Sequence, residues 1–115
     1  MATIKSYTDL EQSKKLAEIL PLESSDMVYT MTNGYHTPWT RIETIDELDK
    51  DDVCAWSLAA LFGVLPFPSL HKTFTGYRCD SYNKDGTTCK LGESADNPVD
   101  ACYELILKLH ELNLL

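Results

Sequence analysis

The four cysteines carry the most reactive side chains of the sequence, and Cys54 lies in the setting closest to that of a nucleophile. It is the second residue of the apolar run Val53–Leu65, and the first turn of a helix favours the thiolate form of a cysteine. The carboxylates of Asp51 and Asp52 directly before it oppose that effect. A catalytic thiol also needs an adjacent base, and the run supplies none. We therefore expect no catalytic residue, and an enzyme that uses Cys54 stays as an alternative.

A zinc site is the second chemistry that these residue types suggest. Cys79 and Cys89 are separated by ten positions, and neither belongs to a CxxC pair. None of the three histidines has a second His or Cys at a metal-binding spacing. A site built from Cys79, Cys89, His71 and one further group is kept as an alternative. We expect no metal and no cofactor, and we predict that Cys79 and Cys89 are free thiols on the core face of a hairpin.

Recognition chemistry is concentrated between positions 33 and 41. Asn-Gly and proline signals place this segment at the surface. Tyr, Trp and Arg dominate the energetic centres of protein interfaces, because they bury much area and keep a polar group. We predict a partner-binding site here, and its residues are Tyr35, His36, Trp39 and Arg41. The alternative is that Trp39 folds back and covers the open edge of a sheet.

Composition limits the classes of partner. The chain has 115 residues, 43% of them apolar, which fits one domain over residues 1–115. Its net charge of −8 disfavours direct contact with nucleic acid. A small acidic protein can instead bind a basic protein surface, including one that normally receives nucleic acid. A simpler alternative is that the acidic residues only keep the protein soluble.

The sequence also bears on location. No apolar signal segment is visible near the first residues, and no apolar run reaches the ~20 residues that span a bilayer. We therefore expect a cytoplasmic protein with reduced thiols and no membrane contact. The expected partner is another protein, and a homodimer is possible.

These side chains need a scaffold, and its centre is the apolar run Val53–Leu65. We interpret it as one buried helix, capped by Asp51 or Asp52 and ended by Pro66. Trp56 is its largest side chain and the predicted structural anchor. The small residues Ala59, Ala60 and Gly63 indicate close packing against a neighbour, and a cofactor groove on that small face is the alternative.

Local signals define the other elements. Thr8 and Glu11 predict a capping box for a first helix that ends at Pro21. Asn97, Pro98 and Asp100 predict the cap of a last helix.

Two strand pairs are also predicted. In the first, Met27–Met31 pairs with Tyr35–Thr40, which is an edge strand. In the second, Leu70–Tyr82 pairs with Thr87–Gly92 through a turn at Asn83 to Gly86. In the second hairpin we expect Cys79 opposite Leu91, Asp80 opposite Lys90, and the apolar face on the central helix. The acidic segment Thr44–Asp52 is expected to be a helical turn or an irregular linker.

From residue 53 onward the order of parts resembles a widespread group of small uncharacterised proteins of gut bacteria and their phages. The resemblance rests on CAWSLAALFGVLP, a hairpin and ADNPVDACYELILKLHEL. It implies a mobile-element origin and no site residues. A weaker likeness links SADNPVDA to the HicB-type antitoxin domain.

Together these observations predict an α+β fold, in which a small antiparallel sheet of about three strands carries three main helices on one face. The predicted function is that of a small non-enzymatic phage or prophage accessory protein that binds another protein. Two alternatives are kept. One is an acidic inhibitor that mimics nucleic acid, and the other is a cysteine-dependent enzyme or zinc protein that uses Cys54 or Cys79 and Cys89.

Overall fold

The computed structural model describes residues 5–41, 44–83 and 85–115. The described residues form three α-helices, six strands and two short 3₁₀ turns. The helices are α1 (Leu10–Ala17), α2 (Leu58–Val64) and α3 (Pro98–Glu111); the strands are β1 (Met27–Thr32), β2 (Tyr35–Thr40), β3 (Val53–Ala55), β4 (Pro68–Lys72), β5 (Tyr77–Tyr82) and β6 (Cys89–Ala95); the 3₁₀ turns are Leu22–Ser24 and Ile45–Glu47.

The strands form two antiparallel sheets, in the orders β2-β1-β3 and β4-β5-β6. The predicted α+β class is confirmed, although two sheets replace the single sheet that we expected. Helix α1 contacts β3, whereas α3 packs on β5 and β6. The helices are therefore divided between the two sheets.

One hydrophobic core joins these elements. Trp56 is its largest fully buried side chain, and Leu16 of α1, Leu61 of α2 and Leu105 of α3 are also completely buried. Cys79 of β5 belongs to the same cluster. The core thus lies where the three helices meet the inner side of the second sheet.

The predicted helix Val53–Leu65 is wrong in its first third. Residues 53–55 form β3, which pairs with β1, and α2 begins only at Leu58. Ser57 is the N-cap, because its Oγ accepts a hydrogen bond from the Ala60 N–H at 3.2 Å. An apolar run alone does not distinguish a buried strand from a buried helix, and here the serine cap marks the change. The helix ends before Pro66, as predicted.

The predicted N-cap of α1 is wrong, whereas the predicted N-cap of α3 is confirmed. Helix α1 is capped by Asp9, which forms a capping box with Gln12, one position later than the predicted Thr8 and Glu11. Helix α3 has the predicted Asn97 cap, with Pro98 in its first turn.

The Asp100 carboxylate links α1 to α3. It accepts hydrogen bonds from Lys5 Nζ at 2.9 Å, Gln12 Nε2 at 2.7 Å and Asn97 Nδ2 at 2.7 Å. Burial opposes the charge of this carboxylate, but the three donors outweigh that effect and lower the pKa of Asp100. The ionised side chain therefore fixes the start of α3 against the start of α1.

The first hairpin has the predicted turn. Asn33 and Gly34 both adopt positive φ, at 50° and 84°, the pattern of a two-residue hairpin turn of this kind. Among the described strands, β2 pairs only with β1 and is an edge strand, which accounts for the tolerance of Pro38.

The second hairpin differs from its predicted register. Positions 70–82 form two strands, β4 and β5, and a shift in β6 places Cys89 opposite Tyr82 and Leu91 opposite Ser81. The extra residue of such a bulge moves the next side chain to the other face of the sheet. Gly86 has the predicted positive φ of 74°, while Lys84 of the same turn lies outside the described residues. The inner face packs on α3, not on the central helix.

A buried junction connects the two halves of the chain at Trp56. The Thr8 N–H donates to the Trp56 carbonyl at 2.9 Å, and the Trp56 N–H donates to Thr8 Oγ1 at 3.2 Å. The indole Nε1 donates to Ser24 Oγ at 2.9 Å. One residue further on, both the backbone N–H and the hydroxyl of Ser57 donate to the Asp26 carboxylate. We name this set of contacts the Trp56 junction.

Trp56→Ala is therefore expected to lower the free energy of unfolding by about 3–5 kcal/mol, because it leaves a cavity in the core. Trp56→Phe is the matched variant, since it retains much of the apolar volume and loses only the indole hydrogen bond; we expect it to cost clearly less. Urea denaturation monitored by circular dichroism measures both. A Trp56→Ala protein that melts within a degree or two of the parent would contradict this view of the core.

Candidate functional site

The first hairpin exposes two aromatic side chains on the same face. The register pairs Tyr35 with Thr32 and Trp39 with Val28, so these four side chains point to one side of the hairpin. Tyr35 is 77% exposed and Trp39 is 55% exposed. We name this side the hairpin face. It carries Tyr35, Thr37 and Trp39 of β2 and Thr30 and Thr32 of β1. More than half of the Trp39 surface is therefore in contact with solvent.

The other two predicted partner-binding residues lie elsewhere. His36 pairs with Met31 on the opposite side of the hairpin, and its Nε2 lies 3.3 Å from the Asp51 carbonyl. The guanidinium of Arg41 donates to the Ser25 carbonyl at 2.7 Å. These contacts hold the two ends of β2 against the body of the protein. The structure thus brings together Tyr35 and Trp39, and it gives His36 and Arg41 supporting positions.

An acidic cleft of about 450 Å³ adjoins the hairpin face. Thr30 of the hairpin face lines it, and Met31, which is 47% exposed, lines it from the other side of β1. The remaining lining residues come from the acidic segment; they are Glu47, Asp49, Lys50, Asp51 and Asp52. Part of that segment forms the 3₁₀ turn Ile45–Glu47, in line with the expected helical turn. Four carboxylates and one ammonium group make the local charge strongly negative.

Cys54 lies in a position unlike that of a nucleophile. It belongs to β3 and is 5% exposed. The prediction that Cys54 lies in the first turn of a helix is therefore wrong. A depression of about 360 Å³ reaches it, and the ionisable groups of that depression are Lys14, Asp49 and Asp52. The residues that line it include no histidine.

The prediction that Cys79 and Cys89 share the core face is wrong, because the shift in β6 places them on opposite faces. Cys79 is completely buried, and its Sγ lies 3.4 Å from that of Cys102 in α3. The hydrogen bond between these thiols and their burial raise the pKa of Cys102. Cys89 is exposed on the outer face, with its Sγ 3.9 Å from Asp80 Oδ1. All four cysteines are free thiols, and Cys79 and Cys89 cannot bind one metal ion from opposite faces.

A polar cluster around Asp80 was not predicted. The Asp80 side chain is only 8% exposed, and its carboxylate lies 2.9 Å from Arg78 Nε and 3.8 Å from His71 Nε2. Its cross-strand partner is Gly92, not the predicted Lys90. A Cβ atom at Gly92 would collide with both the Asp80 carboxylate and the Arg78 guanidinium. A glycine within a strand indicates that other groups approach the backbone closely, so Gly92 was a signal in the sequence. The groups that approach it can be named only when the strand register is known.

The Arg78 guanidinium supplies the positive charge next to the buried Asp80 carboxylate. Within residues 5–41, 44–83 and 85–115, no group of three or more His, Cys, Asp or Glu side chains is arranged to hold a metal ion. None of the helices in that part of the chain has the length and hydropathy to cross a membrane.

Comparison with known proteins gives no relative. The chain matches no family model, no curated protein and no solved structure.

The burial of the thiols predicts their reactivity. In the native protein Cys89 is expected to react with iodoacetamide, whereas Cys54, Cys79 and Cys102 are expected to react only after unfolding, because a buried thiol is shielded from the reagent. Mass spectrometry of peptides after labelling with and without guanidinium distinguishes the sites. Cys89→Ser is the control and should abolish native labelling. Protection of Cys89 in the native state would contradict the bulge in β6, and rapid native labelling of Cys79 would contradict its burial against α3.

Proposed function

We propose that this chain is a non-enzymatic accessory protein that binds another protein through the hairpin face. The observation that carries the proposal is the exposure of Tyr35 and Trp39 on one side of the hairpin. An aromatic side chain buries about 150–250 Å² when it is covered. Two such side chains in one strand supply the type of anchor on which protein interfaces depend.

The way the hairpin is held supports this proposal. Outside β1, the strand β2 is fixed by the contacts of His36 and Arg41 with backbone carbonyls. Neither Tyr35 nor Trp39 belongs to the buried core. Pro38 lacks an N–H, so it weakens any ladder that a further strand would form along β2. A partner is therefore expected to cover the face of the hairpin and not to extend the sheet.

The acidic cleft indicates that the partner surface is positively charged. Glu47, Asp49, Asp51 and Asp52 line this cleft next to β1, together with Thr30 of the hairpin face and Met31 of the opposite side. A partner with basic side chains next to an apolar patch complements this arrangement, and such complementarity accelerates association. The expected resemblance to small phage and gut bacterial proteins implies a mobile-element origin for such an accessory protein.

The same cleft favours a second candidate function, which is inhibition of a nucleic-acid enzyme by mimicry of phosphate. In that case the basic surface of the partner is one that normally receives DNA or RNA. The two candidates differ in one observable property. A mimic is displaced from its partner by nucleic acid, whereas a partner bound mainly through Tyr35 and Trp39 is retained.

Trp39→Ala is expected to abolish capture of the partner and to change the free energy of unfolding by only about 0.5 kcal/mol, as for other surface substitutions. The matched control is Phe74→Ala, since Phe74 is a fully exposed aromatic outside the hairpin. Immobilised parent and variant proteins are compared by quantitative mass spectrometry of proteins captured from a bacterial lysate. Thermal melts of the same samples measure stability.

Two results would contradict the proposal. One is a Trp39→Ala protein that captures the same proteins as the parent. The other is a Trp39→Ala protein that loses several kcal/mol of stability, which would give the indole a structural role. Elution of the captured partner by a DNA oligonucleotide would instead favour mimicry, and resistance to that elution would favour recognition by the hairpin face.

A further inference from the structure

Two of the four cysteines face each other in the core, across the interface between α3 and β5. The Sγ atoms of Cys79 and Cys102 are 3.4 Å apart, although the two residues are 23 positions apart in the chain. Both residues are completely buried. The S–S bond of a disulfide measures about 2.05 Å, so these sulfur atoms need to approach by only about 1.4 Å to form one. We name them the core thiol pair.

The hydrogen bond within the core thiol pair gives its two members different reactivity. The S–H of Cys102 donates to the sulfur of Cys79. This bond lowers the pKa of Cys79 against the opposing effect of burial, whereas the same bond and burial raise the pKa of Cys102. The thiolate is the nucleophilic form of a cysteine. Cys79 is therefore the member that attacks an oxidant, and Cys102 is in place to attack the product.

We propose that the core thiol pair is an oxidation-sensitive lock, in which a hydroperoxide converts Cys79 and Cys102 into a disulfide that joins β5 to α3. A small hydroperoxide is the oxidant class, because both thiols are buried and a molecule close in size to water enters a packed core more easily than a larger reagent. The disulfide closes the segment 80–101, which contains β6. This proposal does not rest on the hairpin face or on its partner.

The oxidation has two steps. In the first, the Cys79 thiolate attacks one oxygen of hydrogen peroxide, the O–O bond breaks, and the hydroxide that leaves takes up the proton lost by Cys79. Cys79 is then a sulfenic acid. In the second, the Cys102 sulfur attacks the Cys79 sulfur, the S–O bond breaks, and the hydroxyl group leaves with the Cys102 proton as water. Two thiols and one peroxide thus give one disulfide and two water molecules.

The test starts from Cys89→Ser, because Cys89 is the exposed thiol and would otherwise join two molecules. The folded protein is treated with hydrogen peroxide, catalase removes the excess, and iodoacetamide in guanidinium blocks the remaining thiols. Mass spectrometry of unreduced peptides is expected to show Cys79 joined to Cys102. The melting temperature is expected to rise by roughly 10 °C, because the cross-link restricts the unfolded chain.

Three further variants, each combined with Cys89→Ser, test the order of the steps. Cys102→Ala removes the second thiol and is expected to leave Cys79 as a sulfenic acid, which dimedone labels once guanidinium exposes it. Cys79→Ala is expected to leave Cys102 reduced. Cys54→Ala is the matched control, since Cys54 is also buried but belongs to the first sheet. It should form the disulfide at the rate of the starting protein.

Four results would overturn the proposal. They are a core thiol pair that stays reduced in peroxide, a disulfide that forms no faster than iodoacetamide labels Cys79, a cross-linked protein that melts no higher than the reduced one, and oxidation of Cys79 to a sulfinic acid without a cross-link. The second result would mean that both reactions proceed through global unfolding. Dithiothreitol identifies the fourth, because it reduces a disulfide but not a sulfinic acid.

Discussion

The hydrogen bonds between Thr8 and Trp56 are the interaction on which the rest of the structure depends. Both residues are completely buried, and each supplies a backbone N–H that must find a partner away from water. They satisfy each other, while the Thr8 hydroxyl lies 2.7 Å from that of Ser13 and the Thr8 carbonyl accepts from Tyr29 at 2.7 Å. A single buried threonine thus links α1, β1 and the segment that enters α2.

This arrangement explains why two parts of the surface do not contribute to the core. The core is complete once Trp56, the three helices and the inner side of the second sheet are packed. The outer part of the first hairpin extends beyond β3, which pairs only with Met27, Val28 and Tyr29 of β1. Tyr35, opposite Thr32, lies in this outer part, whereas Trp39, opposite Val28, is exposed on the edge strand β2. On α2, apart from the helix backbone and the chain neighbours of Gly63, none of the described residues comes within 4 Å of a Cβ atom built on that glycine.

Elements whose signals are local could be predicted from the sequence. The Asn97 cap with Pro98 and the Asn33-Gly34 turn depend on residues within a few positions of each other, and both occur as expected. The turn indicated a surface position for the segment, but it left open whether Trp39 folds back over the edge of the sheet; the structure leaves the indole 55% exposed. The strand β3 could not be predicted, because the pairing of Val53 to Ala55 with β1 is a contact between segments far apart in the chain.

The remaining errors have the same physical origin. Thr8 and Asp9 are both good N-caps, and the choice between them is made by the burial of Thr8 against Trp56. The position of Cys89 depends on one bulge, which reverses the side of the sheet to which a residue points. The cluster of Arg78, Asp80 and Gly92 became visible only after that register was known. Long-range packing thus decided each of these local alternatives.

Native-state hydrogen exchange tests the central role of the Trp56 junction most directly. If the account is correct, the amides of Thr8 and Trp56 exchange only through global unfolding, with the same opening free energy as buried α3 amides such as that of Leu105. The amides at the tip of the first hairpin, near Asn33, should open at much lower free energy. Exchange of the Thr8 and Trp56 amides well before that of Leu105 would contradict the account, because the junction would then open while the rest of the core stays folded.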